Sequence, residues 1–248
     1  MEGGRFNLLS FLFFLCIIIV AIKLRRVTEY IPRISRISQI SQIPRFSPTF
    51  QFNETIPRLL HKTGPIPFRD LSPDVTRLFD KTLENNPGVS LHYYSDAQCE
   101  AFIAQHFEKS VLNTYKRLVP GAYKADLFRF CVLFERGGIY SDLTQIFKVR
   151  FDEIVDFDKD ELVLVEDRVM RPYKYPGIQI NFMAARPRLK IFRAAIDQIL
   201  QHVESGFYGK TPLDPTGPYM FQKVYANSDI KARMELVQVH DGRGAWVV

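Results

Sequence analysis

The sequence predicts an α/β fold, a sheet covered by helices, and three observations support this prediction. First, strand-like segments alternate along the chain with segments of helical periodicity, as in α/β sandwiches. Second, residues 161–166 form a continuous apolar run of strand length, which is typical of a strand buried on both faces. Third, a helical segment is followed by Gly137, Gly138 and a short strand that ends at Asp142. Strand ends are where α/β sheets usually bind ligands.

We predict four segments, listed in chain order: a tail over residues 1–7, a transmembrane signal-anchor over 8–24, a flexible stem over 25–53 and the α/β domain over 54–248. Residues 8–22 are apolar except for Ser10, which is short for a bilayer span but can be extended to Leu24. No small-residue cleavage site follows, so an uncleaved anchor is favoured over its alternative, a cleaved signal peptide.

Two features of the sequence predict opposite orientations for this anchor. Lys23, Arg25 and Arg26 outnumber the positive charges before the anchor, which favours a cytosolic domain. Asn53 opens an Asn-Glu-Thr glycosylation sequon, which is usable only in the secretory lumen.

The stem repeats a triplet that begins with isoleucine over residues 31–45. A period of three matches neither a strand nor a helix, and the prolines interrupt both. A flexible spacer is therefore predicted, with a partner-binding segment as the alternative.

Within the domain, the predicted strands cover residues 58–61, 90–94, 139–142, 161–166, 178–183 and 236–240. Ser95 and Gln98 form a capping box that opens a helix reaching Phe107. A later helix is predicted to start at Pro187 and to continue to Glu204, with an apolar stripe of Ile191, Ala195, Ile199 and Val203.

The helix over residues 123–136 is apolar on almost every side, which predicts burial. Asp126 and Arg129 nevertheless lie three residues apart, on one face. A buried ion pair contributes little net stability, so these charges suggest a function, with a structural ion pair as the alternative. Gly137 is predicted to end the helix with a left-handed cap, and Gly138 to turn the chain.

The composition excludes some classes of protein. The chain has 248 residues, 46% of them hydrophobic, which is enough for one sizeable domain. Its net charge of +6 does not indicate nucleic acid binding, because the basic residues form no patch and many lie near the apolar segment. Three cysteines do not make a disulfide scaffold, although a bond between Cys99 and Cys131 is left open.

The residues described above resemble those of the DXD-containing sugar transferases, family 32 of the glycosyltransferases. That family includes yeast-type initiating mannosyltransferases, α1,4-galactosyltransferases and glucosylating clostridial toxins. The resemblance covers residues 54–246 and is carried by Ala125, Asp126, Arg129, Gly137, Gly138, Ile139, Tyr140, Asp142, the segment 56–63 and Thr216-Gly217-Pro218. Thr144 stands where the second motif aspartate is expected.

The resemblance implies a GT-A fold, a Rossmann-like sandwich that binds a nucleotide sugar, and a lumenal domain in the Golgi or another secretory-pathway membrane. It implies a retaining transfer of a hexose from a UDP- or GDP-linked donor to a glycan or glycolipid. The alternative is a catalytically weakened protein of the same fold that binds nucleotide sugars or acts as a scaffold.

The predicted site residues follow from this resemblance. Asp142, Asp126, Arg129 and Asn181 are the catalytic candidates, and Mn²⁺ or Mg²⁺ is expected at Asp142, Thr144 and His240. The donor is expected to contact His61, Asp126, Arg129, Tyr140, Asp142 and Trp246. Structural roles are left open as well. They are a turn aspartate for Asp142, a half-buried strand tyrosine for Tyr140, a backbone-bonded core amide for Asn181 and a locally bonded strand histidine for His61.

Overall fold

The computed structural model describes residues 55–147, 149–167, 169 and 172–235. These residues all lie in one compact unit, Ser47–Val248. The predicted tail, anchor and stem, the last predicted strand, His240 and Trp246 lie outside the described residues. None of the helices in the described part of the chain has both the length and the apolar character needed to span a bilayer.

Six strands form one mixed sheet in this part of the chain, in the order β2-β1-β3-β5-β4-β6. The strands are β1 (Leu59–Gly64), β2 (Ser90–Ser95), β3 (Gly138–Ser141), β4 (Leu162–Glu166), β5 (Ile178–Ala185) and β6 (Arg233–Glu235). β1 is parallel to β2 and β3, and β4 is parallel to β6, whereas β5 is antiparallel to both β3 and β4. The sheet is therefore mostly parallel, with one reversed strand near its centre.

Seven α-helices accompany the sheet in the described residues. They are α1 (Pro73–Asn85), α2 (Asp96–His106), α3 (Lys109–Arg117), α4 (Gly121–Arg136), α5 (Phe151–Ile154), α6 (Lys190–Ser205) and α7 (Pro218–Ala226), and a short 3₁₀ helix covers Phe68–Asp70. The alternation of strands and helices confirms the predicted α/β class. Four of these helices, α1, α3, α5 and α7, were not predicted from the sequence.

The helices cover both faces of the sheet. On one face, α2, α3, α4, α6 and α7 pack over a core that includes Tyr94, Phe128 and Met183. On the other face, α1 contributes Phe79 beside Tyr93, and α5 contributes Phe151 beside Phe182. Because successive strand residues point to opposite faces, Tyr93 and Tyr94 belong to different layers. The sheet is thus the middle layer of a sandwich.

Helix α4 is the central element of the larger layer, and its predicted burial is confirmed. It contacts β1, β3, β5 and three other helices, α2, α3 and α6. Gly137 ends it with φ 63° and ψ −157°, so the predicted left-handed cap is wrong: φ is positive, but the backbone is extended rather than helical. A Cβ here would lie 2.7 Å from the carbonyl oxygen of Ala185, so close packing as well as φ requires glycine.

Two other local predictions have clear outcomes. The capping box between Ser95 and Gln98 at the start of α2 is present. The predicted helix start at Pro187 is wrong, because α6 begins at Lys190. Arg188 adopts a φ of 64° and donates its backbone N–H to the carbonyl of Phe134, which makes the preceding residues a turn against α4.

The two described cysteines are not bonded to each other. Cys99 and Cys131 are both buried free thiols in the larger core layer. The disulfide that the sequence left open is therefore not formed, and both side chains serve as small apolar groups.

Candidate functional site

A cleft of about 710 Å³ opens at one edge of the sheet. β3 and β4 end at this edge, and β5 begins there because it runs in the opposite direction. The N-terminal turns of α4 and the segment before α7 complete the walls. The cleft is lined by Ala122, Tyr123, Asp126, Arg129, Asp142, Asp167, Gln179, Ile180, Asn181, Pro212, Leu213 and Pro218. Four predicted catalytic residues thus meet in one cavity.

Arg129 is the central charge of this cleft. Its Nη2 lies 2.9 Å from Oδ1 of Asp126 and 3.4 Å from Oδ1 of Asp142, so one guanidinium joins a helix carboxylate to a strand-end carboxylate. It also donates to the carbonyl of Ile180 on β5. Burial alone would lower the pKa of Arg129, but Tyr140, Asp142 and Asp126 together raise it above its ordinary value. The guanidinium therefore remains charged.

Asp126 is held by two partners. Besides Arg129, its Oδ2 accepts a hydrogen bond of 2.6 Å from the hydroxyl of Thr216, in the segment before α7. Burial raises the pKa of this carboxyl above its ordinary value. Arg129 and Thr216 offset part of the shift, and the charge of Asp142 adds to it. Thr216 was noted in the sequence only as part of a motif, and the structure gives it this contact.

Asp142 is the more accessible carboxylate, with 46% of its side chain exposed. Its backbone is well fixed: the N–H donates to the carbonyl of Asn181 at 3.0 Å, and the carbonyl accepts from the N–H of Gln145 at 3.2 Å and from Nζ of Lys62 at 2.7 Å. A rigid backbone thus carries a carboxylate that retains free acceptor capacity.

Tyr140 lies beneath the cleft rather than on its surface. Its side chain is fully buried, its hydroxyl pairs with that of Thr63 at 3.1 Å, and its ring centroid lies 4.7 Å from the Arg129 guanidinium carbon. A cation over an aromatic face is attracted by the ring. Tyr140 therefore supports Arg129 from below.

Asn181 carries an unfilled hydrogen-bond acceptor. Its Oδ1 is buried and has no partner among the described residues, although the residue lines the cleft. Buried polar atoms are nearly always paired in native proteins, so a lone amide oxygen at a cleft wall indicates a group that a ligand would satisfy.

Thr144 and His61 were also predicted as site residues, and neither lines the cleft. Thr144 is exposed in the turn that follows β3. His61 is fully buried: its Nε2 donates to the carbonyl of Gly137 at 2.9 Å and its Nδ1 lies 3.5 Å from the hydroxyl of Tyr94. These contacts match the local structural role that the sequence analysis left open. His240 and Trp246 lie outside the described residues.

Several residues at this site were not predicted from the sequence. Asp167 and Gln179 face the cleft, with Nε2 of Gln179 3.4 Å from Oδ1 of Asp167. Asp167 directly follows β4, as Asp142 follows β3, so the same strand-end signal could have identified it. Lys62, whose Nζ bonds to the carbonyl of Asp142, was not predicted either. Burial lowers the pKa of its ammonium group to about 7, although the charge of Asp142 partly offsets this shift.

The expected divalent cation would need several oxygen ligands at this site. Within the described ranges, no three His, Cys, Asp or Glu side chains cluster in a way that could hold a metal ion. Three carboxylates line the cleft: Asp126, which Arg129 and Thr216 hold, and Asp142 and Asp167. Mg²⁺ is commonly bound by one or two carboxylates together with substrate phosphates. The residues therefore suit a cation that arrives with a diphosphate.

Comparison with known families supports the resemblance inferred from the sequence. Residues 72–160 match the family described as "Glycosyltransferase sugar-binding region containing DXD motif". This segment contains α4, β3 and the Asp126, Arg129 and Asp142 cluster. The predicted resemblance to the DXD-containing sugar transferases is thereby confirmed.

Individual proteins show the same similarity. The chain is 30% identical over 83 residues to an initiation-specific α-1,6-mannosyltransferase of Candida albicans, which covers 33% of this chain and 21% of that protein. It is 31% identical over 96 residues to the enzyme of the same name from Schizosaccharomyces pombe, a match that covers 37% of this chain and 24% of that protein. A mannosyl phosphorylinositol ceramide synthase of Saccharomyces cerevisiae is 24% identical over 174 residues, a match that covers 69% of this chain and 43% of that protein. The matched segments span less than half the length of these relatives.

A solved structure shares the fold. The chain superposes on the PaToxG glycosyltransferase with a TM-score of 0.53 and 20% identity, covering 80% of this chain and 79% of that one. The mixed, mostly parallel sheet is thus similar to that of a GT-A glycosyltransferase.

Proposed function

We propose that this protein is a glycosyltransferase that moves a hexose from a UDP- or GDP-linked donor to a glycan or glycolipid. The observation that carries the proposal is the convergence of Asp142, Asp126, Arg129 and Asn181 on one cleft of about 710 Å³. These residues come from a strand end, a helix and a reversed strand, and the cleft volume is in the range of small-molecule sites.

Asp142 is proposed to bind the diphosphate end of the donor. It would hold Mn²⁺ or Mg²⁺ together with Asp167, and such a cation neutralises charge that develops on a leaving diphosphate. Asp142 is suited to this role because nearly half of its side chain is exposed while its backbone is fixed on three sides.

Arg129 and Asp126 are proposed to bind the donor through its sugar and diphosphate. Arg129 is fixed by the carbonyl of Ile180 and by the ring of Tyr140, so its charge is presented in one orientation. Such preorganised charge stabilises a transition state without reorganisation. The amide oxygen of Asn181 would accept a hydroxyl of the reacting sugar, which would give this atom its missing partner.

Other parts of the proposal rest on the sequence resemblance. Thr144 and His240 would assist the cation, Trp246 would contact the donor, and the transfer would retain the anomeric configuration. Residues 8–24 would anchor the protein in the Golgi or another secretory-pathway membrane, with the domain in the lumen. The names of the sequence relatives support mannose as the first sugar to test.

A second candidate is a protein that binds nucleotide sugars without transferring them. It is favoured by one observation: Thr144, exposed in its turn, stands where the family motif has its second acid. A neutral hydroxyl is a weak ligand for a hard cation, so turnover could be lost while the donor cleft is kept.

A donor screen followed by a turnover assay tests the proposal. GDP-mannose, UDP-glucose and UDP-galactose are added with and without Mn²⁺, and the thermal midpoint is measured, because a ligand that binds the native state stabilises it. We expect one donor to raise the midpoint and then to be hydrolysed slowly. A raised midpoint without sugar release would favour the second candidate, and no shift with any donor would refute both.

A further inference from the structure

Lys62 on β1 is a buried lysine that the proposed reaction does not use. Lys62 is only 1% exposed and lies on the sheet face opposite α4. Its Nζ is 5.6 Å from the ring centroid of Phe79 and 5.7 Å from that of Phe147. A buried ammonium is costly unless it is well paired. An apolar side chain would fill the same space at lower cost, so the charge points to another role.

The ammonium of Lys62 bonds to the end of β3. Nζ donates to Oγ of Ser141 at 3.0 Å and to the backbone carbonyl of Asp142 at 2.7 Å. The Ser141 hydroxyl then donates to Oε1 of Gln145 at 3.0 Å, and the N–H of Gln145 returns to the carbonyl of Asp142 at 3.2 Å. We call Lys62, Ser141, Asp142 and Gln145 the turn network.

We propose that Lys62 is a positioning residue for the donor site, which acts by fixing the backbone from which the Asp142 carboxylate enters the cleft. The proposal rests on the proposed function, because that function assigns Asp142 to the donor diphosphate. Lys62 holds the carbonyl of Asp142 from one side of the sheet, while β5 holds its N–H through Asn181. Without Lys62, that carbonyl would keep the bond from the N–H of Gln145 at 3.2 Å and a longer one of 3.4 Å from the Ser141 hydroxyl, but it would lose its shortest bond, and the turn would be less restrained.

The central test replaces Lys62 with methionine in the full 248-residue chain. Lys62→Met keeps the length and apolar part of the side chain and removes the buried charge, and the Asp142 carbonyl keeps its bond from Gln145. We expect a thermal midpoint equal to or above that of the wild type. We also expect GDP and UDP, measured with Mn²⁺ by calorimetry, to bind roughly ten-fold more weakly, as is usual when a residue that orients a ligand-binding group is lost.

A second readout does not depend on any ligand. Hydrogen exchange of the peptide that contains Gln145 should be faster in Lys62→Met, because the turn network has lost its central donor. Ser141→Ala removes another member of the network with little change in volume, and should show the same effects to a smaller degree. If Lys62→Met does not fold, Ser141→Ala decides the question by both readouts.

A double-mutant cycle identifies the residue through which Lys62 acts. In an Asp142→Asn background, Lys62→Met should cause little further loss of nucleotide affinity. Phe79→Leu serves as the matched control, because it alters the packing around Lys62 without touching the turn network, and should lower the thermal midpoint while keeping affinity.

The proposal is overturned if Lys62→Met keeps wild-type affinity and exchange, or if its loss of affinity is equally large in the Asp142→Asn background. A wild type that binds neither nucleotide would refute the proposed function instead. The exchange measurement would then still decide whether Lys62 orders the turn.

Discussion

The two ends of helix α4 both carry charged clusters, and their difference shows what distinguishes a site from a structural ion pair. At the C-terminal end, one carboxylate, Glu135, is shared by the imidazole of His106 at 3.4 Å and the guanidinium of Arg188 at 2.6 Å. At the N-terminal end, one cation, Arg129, is shared by two carboxylates. In the first cluster one acid faces two nitrogen groups, whereas the second leaves acceptor capacity on Asp142, whose side chain is 46% exposed.

The surroundings increase this difference. Arg188 lies over the ring of Phe134, 5.1 Å from its centroid, so the C-terminal cluster packs on the protein itself. The N-terminal cluster opens into the cleft, beside the unpaired amide oxygen of Asn181. Unfilled polar capacity next to an open cavity therefore marks the site, rather than the number of charges.

The largest effect should come from Asp142→Asn, which is isosteric and removes the accessible negative charge. We expect transfer to be abolished, since loss of a cation and diphosphate contact costs several kcal/mol of transition-state stabilisation, that is, about 100-fold or more in rate. The matched change at the other end, Glu135→Gln, should keep turnover and lose about 1 kcal/mol of stability. Steady-state kinetics and thermal unfolding of both variants check this, and normal turnover by Asp142→Asn would remove the distinction between the ends.

Removing Arg129 should have the next largest effect. Arg129→Ala leaves the buried Asp126 without its cation, so we expect weaker donor binding and a stability loss of about 3 kcal/mol. Asp126→Ala should behave similarly, and the double variant should add little to either single one, because the two residues act as one cluster. Arg188→Ala is the control at the other end, with about 1 kcal/mol lost and donor affinity kept.

Calorimetry with GDP and UDP, together with chemical unfolding, separates these outcomes. If Arg129→Ala and Asp126→Ala keep nucleotide affinity and lose only stability, both ends of α4 are structural ion pairs.

Thr144→Asp should have a smaller effect and would sharpen the assignment of the cation. A second carboxylate two residues after Asp142 should tighten Mn²⁺ binding and lower the midpoint of a Mn²⁺ titration of donor hydrolysis. The competing expectation is that two carboxylates beside an unfilled site repel each other and lower stability. An unchanged midpoint would show that position 144 does not face the cation.

The smallest effect is a difference in pH dependence between the two ends. Asp126 has a pKa raised above 3.8 by burial, so the folded state binds more protons above pH 3.8 and the free energy of unfolding falls as the pH rises through that window. His106 has a pKa lowered below 6.5 by burial, so its contribution falls as the pH drops below 6.5.

Each substitution should therefore remove one slope. In a plot of the free energy of unfolding against pH, Asp126→Asn should flatten the part that falls with rising pH, and His106→Gln the part that rises. Each slope should change by less than about 1.4 kcal/mol per pH unit, the value for one proton. Chemical unfolding between pH 4 and 8 measures both, and curves parallel to the wild type would show that neither group titrates differently on folding.

Much of the domain could be predicted locally. The capping box at Ser95, the buried helix α4 and the strand that Asp142 directly follows depend on short-range patterns of apolar residues and caps, and all three are present. The helix start at Pro187 was predicted wrongly, because the contact of Arg188 with Phe134 in a distant helix determines that turn.

The sequence by itself determined the α/β class, the resemblance to sugar transferases and the position of Asp142 at a strand end, because periodicity and motif spacing are local properties. Only the tertiary structure decided which distant residues meet. The reversal of β5 brings Asn181 and Gln179 beside the ends of β3 and β4, and the segment before α7 brings Thr216 to Asp126. The order of strands in a sheet depends on long-range pairing and packing, which spacing along the chain does not specify.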